Sequence, residues 1–200
     1  MLGRRGVATG GLALALGACA GRGDPPKPEP VLPTRTADGR IIVRGKGLAY
    51  AIRPPQGWSA RSVRGADRST RSTVTVADLA PADGTPVSIS GQMRSKNSDF
   101  VSIDGWIETV TRTRRAEDDA FVLWRAGPVT VEGGRRGEMV LLDNSKPAGS
   151  SASSIDHEAV VLIDEPGAIV EIFLTTKTRE LRDQHLATLR AIAASYGPAA

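Results

Sequence analysis

The chain of 200 residues has a single cysteine, which excludes an intrachain disulfide and any metal site built from several thiolates. It has two histidines, so every site that needs an imidazole base or ligand can be weighed individually. Aromatic residues make up only 4%, which leaves the core to Val, Ile and Leu. A strong excess of one charge is also missing. The formal net charge is +4, and without Arg4 and Arg5 the remaining 24 Lys+Arg stand against 22 Asp+Glu, or +2. That balance gives no electrostatic ground for a nucleic-acid partner. There is no Gly-x-Ser-x-Gly turn, no glycine-rich loop opening a helix and no internal repeat. What is present, 40% hydrophobic and 24% charged residues, suits one folded domain with extra segments.

The N-terminus carries the sharpest pattern. Arg4 and Arg5 precede a short apolar stretch, Leu12-Ala13-Leu14-Ala15-Leu16, and small residues then lead to the cysteine. A positive start, a brief apolar region and small residues form the layout of an export signal, and the apolar stretch is too short to span a bilayer. The tetrad Leu16-Gly17-Ala18-Cys19 resembles the bacterial lipobox. That resemblance implies a signal peptide over 1–18, cut before Cys19, with a diacylglyceryl group on the Cys19 sulfur. Gly17 and Ala18 then leave the peptidase room to reach the bond. The arginine pair fits both general and twin-arginine export. Ala20 rather than an aspartate follows Cys19, which by resemblance to enterobacterial sorting favours the outer membrane over the inner.

Residues 19–39 read as a lipidated cysteine and a tether. Pro25, Pro26, Pro28, Pro30 and Pro33 fall here. Proline fixes φ and removes a donor, so the segment is expected to stay outside any sheet or helix and, extended, to lift the domain roughly 50 Å from the lipid.

The domain is expected over 40–198. Two apolar runs, Ile41-Ile42-Val43 and Leu48-Ala49-Tyr50-Ala51-Ile52, flank a glycine turn and read as a hairpin or a bent strand. Residues 73–79 and 87–93 alternate as half-buried strands, and the Arg- and Ser-rich stretch 61–71 between the flanking elements reads as an exposed loop. Ile103, Trp106, Ile107 and Val110 then follow helical spacing, with Ser102 as N-cap and Val101 and Trp106 at the hydrophobic-staple positions. Strands resume at 121–124, 129–131, 139–142, 159–163 and 168–174, with turns at Gly133-Gly134 and Pro166-Gly167. A last helix starts near Arg179 and stops at Gly197-Pro198.

No catalytic residue is assigned. His157 lies between Asp156 and Glu158, but neighbours on a strand point to opposite faces, so the two carboxylates cannot both serve it. His185 falls on the edge of the last helix's apolar face and reads as a packing residue. Neither Asp156-His157-Glu158 nor Glu117-Asp118-Asp119 has ligand spacing, so no metal and no cofactor is assigned. Arginines cluster at Arg61, Arg64, Arg68 and Arg71, at Arg112, Arg114 and Arg115, and at Arg135-Arg136. The first two clusters are candidates for a surface that meets an anionic lipid or an acidic partner.

The whole pattern resembles the PsbP-like fold group, which includes bacterial lipoproteins and DcrB-like proteins. The likeness rests on Tyr50 to Trp58 with its Pro-Pro-Gln-Gly turn, the helix bearing Trp106, the glycine hairpin between Val129 and Met139, and the final Ser195-Tyr196. It implies an α+β fold in which an antiparallel sheet is flanked by two main amphipathic helices, an α/β/α sandwich. It also implies members that bind or assemble rather than catalyse. The expected protein is a lipid-anchored, periplasm-facing envelope lipoprotein acting as a non-enzymatic binding or assembly module. Its expected partners are membrane lipid through Cys19 and an envelope protein. Two alternatives stay open: an adaptor of a secretion system, and a small periplasmic hydrolase built on His157.

Overall fold

The computed structural model describes residues 29–31, 33–45, 48–67, 72–96, 101–145 and 156–199. Its elements run β1 (Glu29–Val31), β2 (Ile41–Gly45), β3 (Leu48–Ile52), β4 (Trp58–Asp67), β5 (Ser72–Pro81), β6 (Val87–Ser95) and α1 (Ile103–Glu117). After these come β7 (Val122–Thr130), β8 (Arg136–Asp143), β9 (His157–Glu165), β10 (Ala168–Thr176), α2 (Arg179–Gln184), α3 (Leu186–Ala194) and β11 (Gly197–Pro198).

The eight-stranded sheet has the order β1-β4-β5-β6-β10-β9-β8-β7, and a three-stranded sheet has the order β11-β3-β2. Every pairing is antiparallel. The large sheet is two meanders joined where β10 meets β6, with α1 carrying the chain across between them.

The expected sandwich of one sheet between two main helices is therefore corrected. The protein is mostly β and has two sheets, and its helices are few and short. The second main helix is broken at His185, whose ψ of 4° ends α2 before α3 begins. The hairpin β2–β3 does not extend the large sheet. It packs its apolar side chains on the same face as α2 and α3.

Alternation along the central strands explains the two cores. Met139 and Leu141, Val161 and Ile163, and Val170, Ile172 and Leu174 face the small sheet and α3. Val140 and Leu142, Val160 and Leu162, and Ile169 face Trp106 of α1 and Phe121. Strands buried on both faces read as continuous apolar runs, as β8 to β10 do. Gly91 in β6 lets the small sheet sit down on the large one: a Cβ there would lie 2.8 Å from the Tyr50 hydroxyl oxygen.

Several local expectations are met and several are not. Ser102 caps α1, its hydroxyl accepting from the Gly105 N–H at 3.2 Å. Val101 is 65% exposed, so no staple forms with buried Trp106. Residues 61–67 are strand rather than loop, because pairing with β5 overrides their polar composition. A single strand, Val122–Thr130, with a bulge between Arg125 and Gly127, stands where two were expected. Gly133 and Gly134, both at positive φ, make the β7–β8 turn as anticipated. The proline-rich segment does reach the sheet: Glu29–Val31 pairs with β4 through Pro30↔Val63. An edge strand tolerates proline because the missing N–H can face away from the ladder.

Candidate functional site

Three of the five buried carboxylates among the described residues tie distant elements of the domain together. Glu171 interrupts the apolar run of β10 and is fully buried on the α1 face. Gln92 lies directly across from it on β6, and Arg94 sits two residues further along the same face. Gln92 Nε2 donates to Glu171 Oε2 at 2.6 Å, the Trp106 indole Nε1 donates to Oε1 at 2.5 Å, and Arg94 Nε stands 2.8 Å from Oε1. One carboxylate thus ties β6, β10 and α1 together, and its charge is matched by one guanidinium.

Asp143 does the same on the opposite face. It lies across from His157, whose Nδ1 is 3.1 Å from Oδ1, so the fitting tautomer carries its proton on Nδ1. Arg182 Nη1 donates to Oδ1 at 2.6 Å and Arg179 Nη2 reaches Oδ2 at 2.8 Å. Arg182 is 1% exposed, also contacts Asp183, and lies 5.5 Å from the Trp124 ring centroid. Glu165 is the third carboxylate. Its Oε1 accepts from the Tyr196 hydroxyl at 2.6 Å and from Arg135. Burial and this bond to Glu165 push the Tyr196 phenol well up. Asp143 holds the start of the C-terminal segment and Glu165 holds its end.

These contacts place the sequence candidates. His157 orients on Asp143 rather than on Asp156 or Glu158. Asp156 pairs with Lys177, and Glu158 with Arg114 at 3.3 Å. The Thr176 hydroxyl beside His157 donates to the Thr178 carbonyl at 2.8 Å, and His157's carbonyl lies 3.3 Å from it. His185 sits at the helix break with its ring 5.9 Å from that of Trp58. The arginine clusters do not merge. Arg61 on β4 binds Asp78, Arg112 on α1 lies 4.0 Å from Glu108, and Arg115 donates to the Phe121 carbonyl. Arg64 lies in β4, while Arg68 and Arg71 fall outside the described residues, as do Leu16, Gly17, Ala18 and Cys19. Among the described residues no group of three His, Cys, Asp or Glu side chains is placed to hold a metal ion, and no helix is long and apolar enough to cross a membrane.

Beside Glu171 a groove of about 200 Å³ opens between α1 and the sheet, lined by Arg94, Trp106, Val110, Arg114, Leu142 and Phe173, with Thr109 and Thr113 at α1. Two wider depressions exist. One of about 460 Å³ lies between residues 53–56 and α3, and one of about 420 Å³ lies between Asp104, Arg125 and Asp164. The carboxylates of the second are paired, Asp104 with Arg125 and Asp164 with Lys96.

No family model and no curated protein matches the chain. Among solved structures it is similar to the solution structure of cyanobacterial PsbP (CyanoP) from Synechocystis, at 16% identity and a TM-score of 0.46, over 92% of this chain and 99% of that one.

Sequence reasoning missed Glu171, Asp143 and Arg94. The signal for Glu171 was available: a lone carboxylate inside seven otherwise apolar or small positions must find donors or stay neutral. Asp143 and Arg182 meet from residues 39 apart, which no local pattern reveals.

Glu158 supplies a pH test of the geometry around the groove. Burial, with Asp156 adding and Arg114 and Asn144 opposing, holds its carboxyl above the ordinary value near 4.5. The folded state therefore binds more protons than the unfolded one between that value and the raised one. This contribution to stability falls as pH rises through the window. Urea unfolding of the wild type and Glu158→Gln from about pH 4 to about pH 7 should show the variant gaining relative stability with rising pH, then levelling off. A difference that stays flat removes burial as the dominant cause.

Proposed function

We propose that this chain is a lipid-anchored envelope protein whose domain works as a binding or assembly module rather than as an enzyme. The observation that carries the reading is the order basic pair, short apolar stretch, Leu16-Gly17-Ala18-Cys19, with the chain's one cysteine at the lipidation position. The use of the buried polar groups supports the second half. Glu171, Asp143 and Glu165 spend their lone pairs on Trp106, Gln92, His157, Tyr196 and arginines, which joins elements together. His157 is oriented by a carboxylate already held by two arginines, an arrangement suited to clamping α2.

Palmitate labelling and fractionation in an expressing Gram-negative host test the anchor. The wild type should take up label and sediment with membranes, at the density of the outer membrane. Cys19→Ala should lose the label and keep its signal peptide or move to the soluble fraction. An unlabelled wild type, or a variant that behaves as the wild type does, refutes the anchor.

A further inference from the structure

The groove beside Glu171 differs from the other depressions in joining an apolar wall to two cations. Trp106, Leu142, Phe173 and Val110 form the wall, and Arg94 from β6 and Arg114 from α1 stand at its rim. Both guanidiniums are held by buried or half-buried carboxylates, Arg94 by Glu171 and Arg114 by Glu158, so their positions are set before any ligand arrives. Arg94 is 50% exposed at the side chain and Arg114 28%, which leaves each a solvent-facing portion. A planar guanidinium presents its donors in a fork that matches carboxylate and phosphate oxygens. The groove has a volume of about 200 Å³. It lies below the roughly 300–1,000 Å³ usual for drug-sized ligands. It therefore suits a small molecule with one charged head.

We propose that this groove binds a small organic carboxylate with an apolar body, its head at the Arg94 and Arg114 rim and its body on Trp106, Leu142 and Phe173. This names a ligand class for the binding module and rests on that reading. The test uses no lipid at Cys19, so the anchor and the ligand site can fail separately.

The probe is octanoate, titrated into the ¹⁵N-labelled full chain carrying Cys19→Ser, which cannot be acylated and needs no detergent. The three tryptophans give three indole N–H signals, and the Trp106 signal is assigned by Trp106→Phe. Octanoate should shift the Trp106 indole saturably and leave those of Trp58 and Trp124 in place. Octanol, which has the body without the charge, and inorganic phosphate, which has the charge without the body, should not. Arg114→Gln should weaken octanoate by roughly tenfold or more. Thr113→Trp, at an exposed position on α1 where folding tolerates bulk, should fill the groove and abolish the shift. Octanol binding as well as octanoate overturns the proposal, as does phosphate acting alone. No saturable shift at Trp106, or a shift that survives Thr113→Trp, overturns it too.

Discussion

Asp143→Ala is expected to cost about 3–5 kcal/mol, enough to leave the domain largely unfolded at modest urea. Arg182 is the reason. Its side chain is buried against Trp124, and of its two counter-charges Asp143, at 2.6 Å, is the buried one, while Asp183, at 2.9 Å, is half exposed and offsets only part of the loss. Removing one member of a buried pair leaves the other charged and desolvated. Arg179 and His157 lose an acceptor as well, but Arg179 is 59% exposed at the side chain and can turn to water. Thermal unfolding should show a fall of roughly 10 °C for a chain of this size. Replacing the pair together, Asp143→Leu with Arg182→Met, should recover most of the loss, because an apolar pair of similar volume avoids the desolvation of both charges. A single-variant cost below about 1 kcal/mol would mean that α2 is held by packing alone.

Glu171→Leu comes second, at about 2–5 kcal/mol. Three donors converge on this carboxylate, and they are not equal. Arg94 is half exposed and can turn to water, whereas the indole of Trp106 is buried and keeps an orphaned N–H. Glu171→Gln retains an oxygen for the indole and should cost roughly 1–2 kcal/mol. The two losses are coupled through one hydrogen bond. Trp106→Phe should therefore cost at least about 1 kcal/mol less in the Glu171→Leu background than alone, measured as a double-mutant cycle. Additive costs would show that the 2.5 Å contact contributes nothing beyond burial.

Where a single element carried its own pattern, it was legible. The spacing of Ile103, Trp106, Ile107 and Val110, with Ser102 in front, located α1 and its cap. The apolar runs of β8, β9 and β10 announced strands, although not that both faces were covered. Where pairing or packing decided the outcome, it was not. Residues 61–67 are Arg- and Ser-rich, and they are strand because β5 lies beside them. Pro30 signals a break by every local rule, and it is accepted at the edge of β4. The helix after Arg179 reads as continuous, and it breaks at His185, whose ring meets that of Trp58, from 127 positions earlier, edge-on. The candidate site follows the same division. Trp106 was visible as an apolar position, but the carboxylate that receives its indole comes from β10, 65 residues away.

The pairing of Glu29–Val31 with β4 has a consequence for posture. Only nine residues separate Cys19 from Glu29, a leash of at most about 35 Å when drawn tight, well short of the lift a free tether would give. The leash joins the large sheet at one rim, and β7 forms the other rim, seven strand spacings or roughly 33 Å away. If Cys19 carries lipid, as proposed, the β1 rim is the part of the large sheet tied nearest to it. The β7 rim, with exposed Val122 and half-exposed Trp124, is the edge of that sheet farthest from the attachment.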